Sequence, residues 1–206
     1  MCPTPLPAII VPARLASVRF PGKLLADAGG KPLILRTAER LRQEVPDFDV
    51  FFAVDGDELA GILREEGFEV IITDPDLPSG TDRIAQANQT LGRESAINVQ
   101  ADEPMVERSH VLALAGALEK EGAAMSTLAV PFSREQDFLD PNQVKVVLDQ
   151  EGYALYFSRA PIPCPRDAGE ERWGRGTSFA YKHLGLYGYR GSFLESYSQC
   201  KQGVLE

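Results

Sequence analysis

The chain has 206 residues and a net charge of −9, with 21 Lys and Arg against 30 Asp and Glu. That balance excludes general nucleic-acid binding, whose footprint is a basic face. A hydrophobic share of 44% and a charged share of 25% describe an ordinary soluble globule, long enough for one α/β domain with a small subdomain. Cys2, Cys164 and Cys200 lie far apart with no Cys-x-x-Cys, which fits a reducing cytoplasm better than a disulfide framework or a zinc site. Neither a signal peptide nor a membrane span is expected.

The apolar run at 6–11 reads as a buried strand. It feeds Pro12-Ala13-Arg14-Leu15-Ala16-Ser17-Val18-Arg19-Phe20-Pro21-Gly22-Lys23, a loop rich in cations at the carboxyl edge of a sheet. Open α/β folds bind ligands at that edge. Arg14 offers a fork for phosphate oxygens, Lys23 a point charge, and Gly22 close backbone approach. The loop therefore reads as a triphosphate or pyrophosphate cradle. It is not a P-loop, because Ser17 stands at the first Gly position and Leu24 follows Gly22-Lys23. No Gly-x-Gly-x-x-Gly occurs either.

Lys31-Pro32 opens a helix with a stripe of Leu33, Ile34, Ala38, Leu41 and Val45. A strand is predicted at 48–54, then a helix from Asp55-Gly56-Asp57 with Leu59, Ile62 and Leu63 inside, and a third strand at 68–73. Ser79-Gly80-Thr81 precedes a helix carrying Ile84, Ala85 and Leu91; strand 96–99, helix 108–119 and strand 125–130 follow. This rhythm predicts a mainly parallel sheet covered by helices on both faces. Beyond it, 144–149 and 153–158 form a predicted β-hairpin, 161–176 a Pro-, Gly- and Arg-rich flap, 184–189 a strand and 192–200 a short helix.

Three constellations carry chemistry. Asn98-Val99-Gln100-Ala101-Asp102-Glu103-Pro104 ends the fourth strand, and an Asp there is a candidate Mg²⁺ ligand, since magnesium takes one or two carboxylates plus phosphates and waters. The alternative is that Asp102 or Glu103 caps the next helix. Ser79 to Arg83 joins a helix start, able to meet an anion or a base carbonyl, to a cation one turn in; a plain cap with a solvated Arg83 is the alternative. His183, Gly185, Tyr187 and Tyr189 share one strand face and could wall a sugar-acid pocket, with the glycines leaving room for ligand, or simply belong to a half-buried strand. Arg159 is placed to neutralise a carboxylate or to form a surface ion pair, and His110 is expected on a helix surface without chemistry.

Taken together, 12–23, Gly30-Lys31-Pro32, 79–83, 98–104, 127–131, 141–159 and 183–190 resemble the 3-deoxy-manno-octulosonate (Kdo) cytidylyltransferases, the CMP-Kdo synthetases of lipopolysaccharide biosynthesis. The resemblance runs from about Ile9 to Glu206. Its most specific part is Val144-Lys145-Val146-Val147-Leu148-Asp149 with Gly152-Tyr153-Ala154-Leu155-Tyr156-Phe157-Ser158-Arg159-Ala160. It implies a nucleotide-diphospho-sugar transferase-like fold in a single domain, nucleotide-binding over about 1–130 and sugar-acid-binding over about 131–206. It also implies a cytoplasmic homodimer, Mg²⁺ dependence, CTP and Kdo as substrates, and CMP-Kdo and pyrophosphate as products. By the resemblance, Arg14, Ser17 and Lys23 hold the CTP phosphates, while Asp55, Ser79, Gly80, Arg83 and Gln100 line the nucleotide pocket. Asp102 binds metal; Arg159, His183, Tyr187, Tyr189 and Glu206 address Kdo.

Two departures accompany the resemblance. Ala101 stands where the family usually has Gly, and Ala53-Val54-Asp55-Gly56 only partly follows its Ala-Thr-Asp. Family members also continue past the position of Glu206 into a dimerisation helix and a second metal carboxylate, so a weakened dimer and low turnover are the expectation for these 206 residues. Transfer to another sugar acid (8-amino-Kdo or a sialic acid) and non-catalytic nucleotide binding are the competing functional readings.

Overall fold

In the computed structural model, the described residues are 6–16, 20–164, 166, 173, 179–197 and 199–200. Ser17, Glu206 and most of the predicted 161–176 flap lie outside them. Two compact units are present: Met1–Ser126 with Leu186–Glu206, and Thr127–Gly185.

The first unit is built on β1 (Ala8–Ala13), every residue of which is buried. Burial on both faces explains the unbroken apolar run, since a strand with one wet face would alternate. β1 pairs in parallel with β2 (Val50–Val54) on one side and β4 (Ser95–Asn98) on the other, and β2 with β3 (Glu69–Ile72). The crossovers are α1 (Leu33–Glu44), α2 (Asp57–Glu65) and α3 (Gly80–Leu91); α4 (Arg108–Leu118) follows β4. Pro32 takes the N-cap of α1, and Ile34, Leu35, Ala38 and Leu41 bury its apolar stripe. β5 (Met125–Pro131), α5 (Glu135–Leu139), β6 (Lys145–Leu148) and β7 (Ala154–Ser158) come next, then β8 (Tyr181–Arg190) and α6 (Gly191–Tyr197).

The last residues of β8 run antiparallel to β4, from Ser95 opposite Arg190 to Asn98 opposite Tyr187. The sheet of the first unit is thus parallel through β3-β2-β1-β4 and closes with one antiparallel strand. Small side chains let α3 and α6 pack closely: the core beside them joins Ala8, Ile10, Ala53, Ile84, Ala85, Ala87 and Ala96 to Tyr189 and Leu194. Gly188 faces the other way. A Cβ there would lie 2.5 Å from Ser126 Oγ, 3.0 Å from Leu118 and 3.2 Å from Ile97, so this glycine admits close packing against α4 and leaves no room for a ligand.

In the second unit β6 and β7 form the expected antiparallel hairpin. Its turn is organised by Asp149, whose carboxylate accepts from the N–H of Glu151 (3.0 Å) and Tyr153 (2.7 Å), while Gly152 supplies the left-handed φ of 84°. β6 also pairs with the start of β8, Lys145 opposite Lys182. The five-residue α5 is an element that the sequence pattern did not announce; Phe138 anchors it against Phe132 and Ala180.

Candidate nucleotide site

β1 ends at Ala13 and α3 begins at Gly80, and between them lies a cavity of about 150 Å³ lined by Pro12, Ala13, Arg14, Leu77, Ser79, Gly80, Arg83 and Gln100. Five of the residues expected to meet a nucleotide (Arg14, Ser79, Gly80, Arg83 and Gln100) therefore share one pocket at the carboxyl edge of the sheet. Ser79 caps α3 by accepting from the Asp82 N–H at 3.2 Å and donating its hydroxyl to the Asp82 carboxylate at 2.5 Å. Gln100 is steadied by donating to Asn98 Oδ1 at 3.0 Å.

Arg83 departs from the solvated-cation alternative. It is only 2% exposed. One guanidinium nitrogen, Nη1, donates to the Thr73 hydroxyl oxygen and to the Asp74 carbonyl (3.1 Å), while Nη2 is buried without a hydrogen-bond partner. Thr73 accepts because its own hydroxyl is donated to the Val54 carbonyl at 2.8 Å. Burial is the main influence lowering the Arg83 pKa; Asp55 and Asp74 oppose it, and the neighbouring Arg14 adds repulsion. Two cations crowded in one pocket, one with an unsatisfied donor, favour an anionic or carbonyl-bearing ligand.

The loop after β1 is tied at both ends. Asp55, just past β2, accepts from the Leu15 N–H at 3.0 Å, and the Gly22 N–H donates to the Leu15 carbonyl at 3.4 Å. Asp55 is thus a loop-holding carboxylate, and its second oxygen is buried without a partner. Gly22, at φ 69°, starts a short 3-10 turn over Lys23–Leu25. From that turn the Lys23 ammonium donates to the Asp102 carboxylate, a pair still 46% and 36% exposed. Neither Asp102 nor Glu103 caps the next helix. Glu107 does so, in a reciprocal capping box in which His110 Nδ1 accepts from the Glu107 N–H at 3.2 Å. His110 therefore has a structural task on α4.

The remaining candidates stand as follows. Tyr189 is 2% exposed, stacks between Tyr187 and Phe193 with centroids 6.1 Å apart on each side, and shares a hydrogen bond of 3.3 Å with Thr81. That places Tyr189 in the core, bracing the start of α3, where an open sugar-binding wall was expected. Tyr187 is half-buried beside it, and burial raises the pKa of both phenols. In the second unit, His183 Nε2 and the Thr127 hydroxyl are 2.8 Å apart, and burial lowers the imidazole pKa. Arg159 is exposed and donates through Nη1 to the Pro141 carbonyl at 3.1 Å.

A family model described as cytidylyltransferase matches residues 8–206. The chain belongs to the cytidylyltransferase family. A CMP:2-keto-3-deoxy-manno-octonic acid synthetase, solved with CTP, is 34% identical with a TM-score of 0.84, over 96% of this chain and 79% of that one. Two more distant solved structures share the fold. A cytidylyltransferase from Leptospira borgpetersenii serovar Hardjo-bovis is 15% identical at TM-score 0.57, over 96% of this chain and 66% of that one. A 4-diphosphocytidyl-2C-methyl-D-erythritol synthase from Anaerococcus prevotii is 13% identical at TM-score 0.56, over 97% and 80%.

As a cytidylyltransferase the chain places its two cation-bearing segments, the β1 loop and the α3 start, around one pocket. Thr73, Asp74 and Leu77, which hold Arg83 or line that pocket, were missed by the sequence reading; their only signal is position, in the segment between β3 and α3. The Asp102 carboxylate is a hard oxygen donor already carrying a cation, so it fits a magnesium ion. Among the described residues no group of three or more His, Cys, Asp or Glu converges to hold a metal, and none of their helices is long and apolar enough to cross a membrane.

Proposed function

We propose that this cytidylyltransferase activates Kdo with CTP, giving CMP-Kdo and pyrophosphate for lipopolysaccharide synthesis in the cytoplasm. The observation that carries the proposal is the pocket that joins Arg14, the capped start of α3 and the unpartnered Arg83 Nη2. The 34% identical CMP:2-keto-3-deoxy-manno-octonic acid synthetase supports the choice of sugar acid. Arg14, Ser17 and Lys23 hold the phosphates, Asp55 secures the loop, and Ser79, Gly80, Arg83 and Gln100 surround the nucleoside. Arg159 neutralises the Kdo carboxylate, with His183, Tyr187 and Glu206 addressing its hydroxyls; Tyr189 contributes from behind by holding Thr81 and α3.

In the transfer, the anomeric oxygen of Kdo bonds to the α-phosphorus and the bridging oxygen to the β-phosphorus leaves with pyrophosphate. The hydroxyl proton is released to solvent. Little covalent help is needed from the protein, so orientation and charge stabilisation supply the rate. When bound, a Mg²⁺ would be held by Asp102 and would supply neutralisation of phosphate charge. In such a complex Lys23 exchanges its carboxylate partner for a phosphate oxygen. The working form proposed is a homodimer.

The test is pyrophosphate release from CTP and Mg²⁺ over a panel of Kdo, 8-amino-Kdo and sialic acids. Turnover is expected with Kdo. Turnover confined to a sialic acid overturns the substrate; CTP binding without any release overturns the reaction.

A further inference from the structure

Lys145 opens β6 and is 0% exposed, among the largest fully buried side chains of the described residues. Among the described residues its ammonium bonds no carboxylate oxygen. It donates instead to two backbone carbonyls, Asp140 O at 2.7 Å and Arg159 O at 3.1 Å, and lies 5.9 Å from the centre of the Phe138 ring. Burial draws its pKa below the ordinary value of a lysine, with Asp140 opposing. A buried ammonium is costly to keep, and an apolar side chain of the same length would fill the space more cheaply. What an apolar side chain cannot do is hold the two carbonyls.

Those carbonyls belong to segments that the strand ladder does not reach. The β6–β7 pairing ends with Lys145 opposite Ser158, so Arg159 sits one residue beyond the last rung. There the ammonium takes over from the ladder. A second tie runs back, since Arg159 Nη1 donates to the carbonyl of Pro141, next to Asp140. Segment 140–141 and Arg159 are thus cross-linked by two cations, with Asp140 further fixed by accepting from the Asn142 N–H at 2.8 Å. One arm of the guanidinium is committed to Pro141, and the exposed fork retains donors for a carboxylate.

We propose that Lys145 is a positioning residue for Arg159: by holding the Arg159 and Asp140 carbonyls it sets the direction in which the Arg159 guanidinium meets the carboxylate of the acceptor sugar acid. The assignment rests on the reading of Arg159 as the partner of that carboxylate.

A double-mutant cycle with Lys145→Met and Arg159→Ala in the full chain tests it, read as KM and kcat for Kdo at saturating CTP. CTP affinity by calorimetry serves as the control. Arg159→Ala is expected to raise KM roughly 30-fold and Lys145→Met roughly tenfold, with kcat and CTP affinity changed less than about threefold. The double variant is expected to be no worse than Arg159→Ala alone, because a residue acting through Arg159 has nothing left to position. Lys145→Gln, whose shorter amide keeps N–H donors without the charge, should fall between parent and Met.

Multiplicative losses in the double variant, or an unchanged KM in Lys145→Met, overturn the positioning role while leaving Arg159 in place. An unchanged KM in Arg159→Ala, or a parent that does not turn over Kdo, overturns the underlying reading and the assignment with it. Failure of both Lys145 variants to fold makes the lysine structural and also overturns it.

Discussion

Arg83→Met is the perturbation that best separates ligand binding from folding in the nucleotide pocket. Methionine keeps the buried stem and removes the guanidinium, deleting the bonds to Thr73 and to the Asp74 carbonyl and the unpartnered Nη2. The Asp55 carboxylate then loses its nearby cation while one of its oxygens stays buried without a partner. A hydrogen bond involving a charged group contributes about 1.5–3 kcal/mol, and an uncompensated buried polar group costs about 1–3 kcal/mol. A net destabilisation of about 2–3 kcal/mol follows, or roughly 4–12 °C in Tm for a chain of this size. If Nη2 bonds the nucleotide, CTP affinity drops by the same 1.5–3 kcal/mol, roughly 10- to 150-fold. Adding Asp55→Asn removes the stranded charge, so stability should partly return while CTP affinity does not. Calorimetric titration well below the variant's Tm, with thermal unfolding alongside, reads both quantities. CTP affinity within twofold of the parent in a folded Arg83→Met protein would refute the argument that the unpartnered nitrogen is a ligand donor.

The other predictions follow from single contacts. Gly188→Ala should cost about 1–3 kcal/mol by overpacking against Ser126, Leu118 and Ile97, whereas Gly185→Ala, with nothing within 4 Å, should stay within about 0.5 kcal/mol; equal urea midpoints would contradict the packing account. Lys23→Ala should weaken CTP binding roughly tenfold yet tighten Mn²⁺ binding without nucleotide, because its ammonium competes for Asp102; unchanged CTP affinity would remove Lys23 from the site. Asp102→Asn should abolish that Mn²⁺ binding and collapse turnover while CTP affinity changes less, and parent-like rates at saturating Mg²⁺ would exclude a metal role. His183 has a pKa below its ordinary 6.5, so between the two values the folded state binds fewer protons than the unfolded state. Its contribution is complete above about pH 6.5 and is lost as pH falls through the folded value; His183→Gln should flatten that part of the stability profile, and an unchanged slope would count against it.

The sequence was most readable where a residue's role depends on its own element. β1 could be recognised because a strand buried on both faces is apolar throughout, and α1 because its inward stripe recurs at helical spacing. The hairpin followed from the turn at Gln150-Glu151-Gly152 between two strand runs, and the Asp149 and Gly152 chemistry that fixes it is local to that turn. The cation-rich loop was placed at the site because chain order alone puts it at the carboxyl end of β1. Family membership was legible for a related reason: its motifs are short stretches whose spacing survives without knowledge of packing.

Tertiary structure decided the roles that need partners from elsewhere in the chain. Arg83 reads as a surface cation one turn into a helix until Thr73 and Asp74, from the end of β3, are brought to it. Nothing in the run Val144 to Asp149 marks Lys145 for burial, yet its ammonium lies buried between the carbonyl of Asp140, five residues before it, and that of Arg159, fourteen residues after it. Tyr189 and Gly188 are neighbours on one strand, and only the layers on its two sides show that one braces α3 while the other admits α4. Periodicity reports which way a side chain points from its own backbone. The free energy of a buried charge or a missing Cβ depends on the atoms that meet it, and distant segments supply those atoms only once the chain has folded.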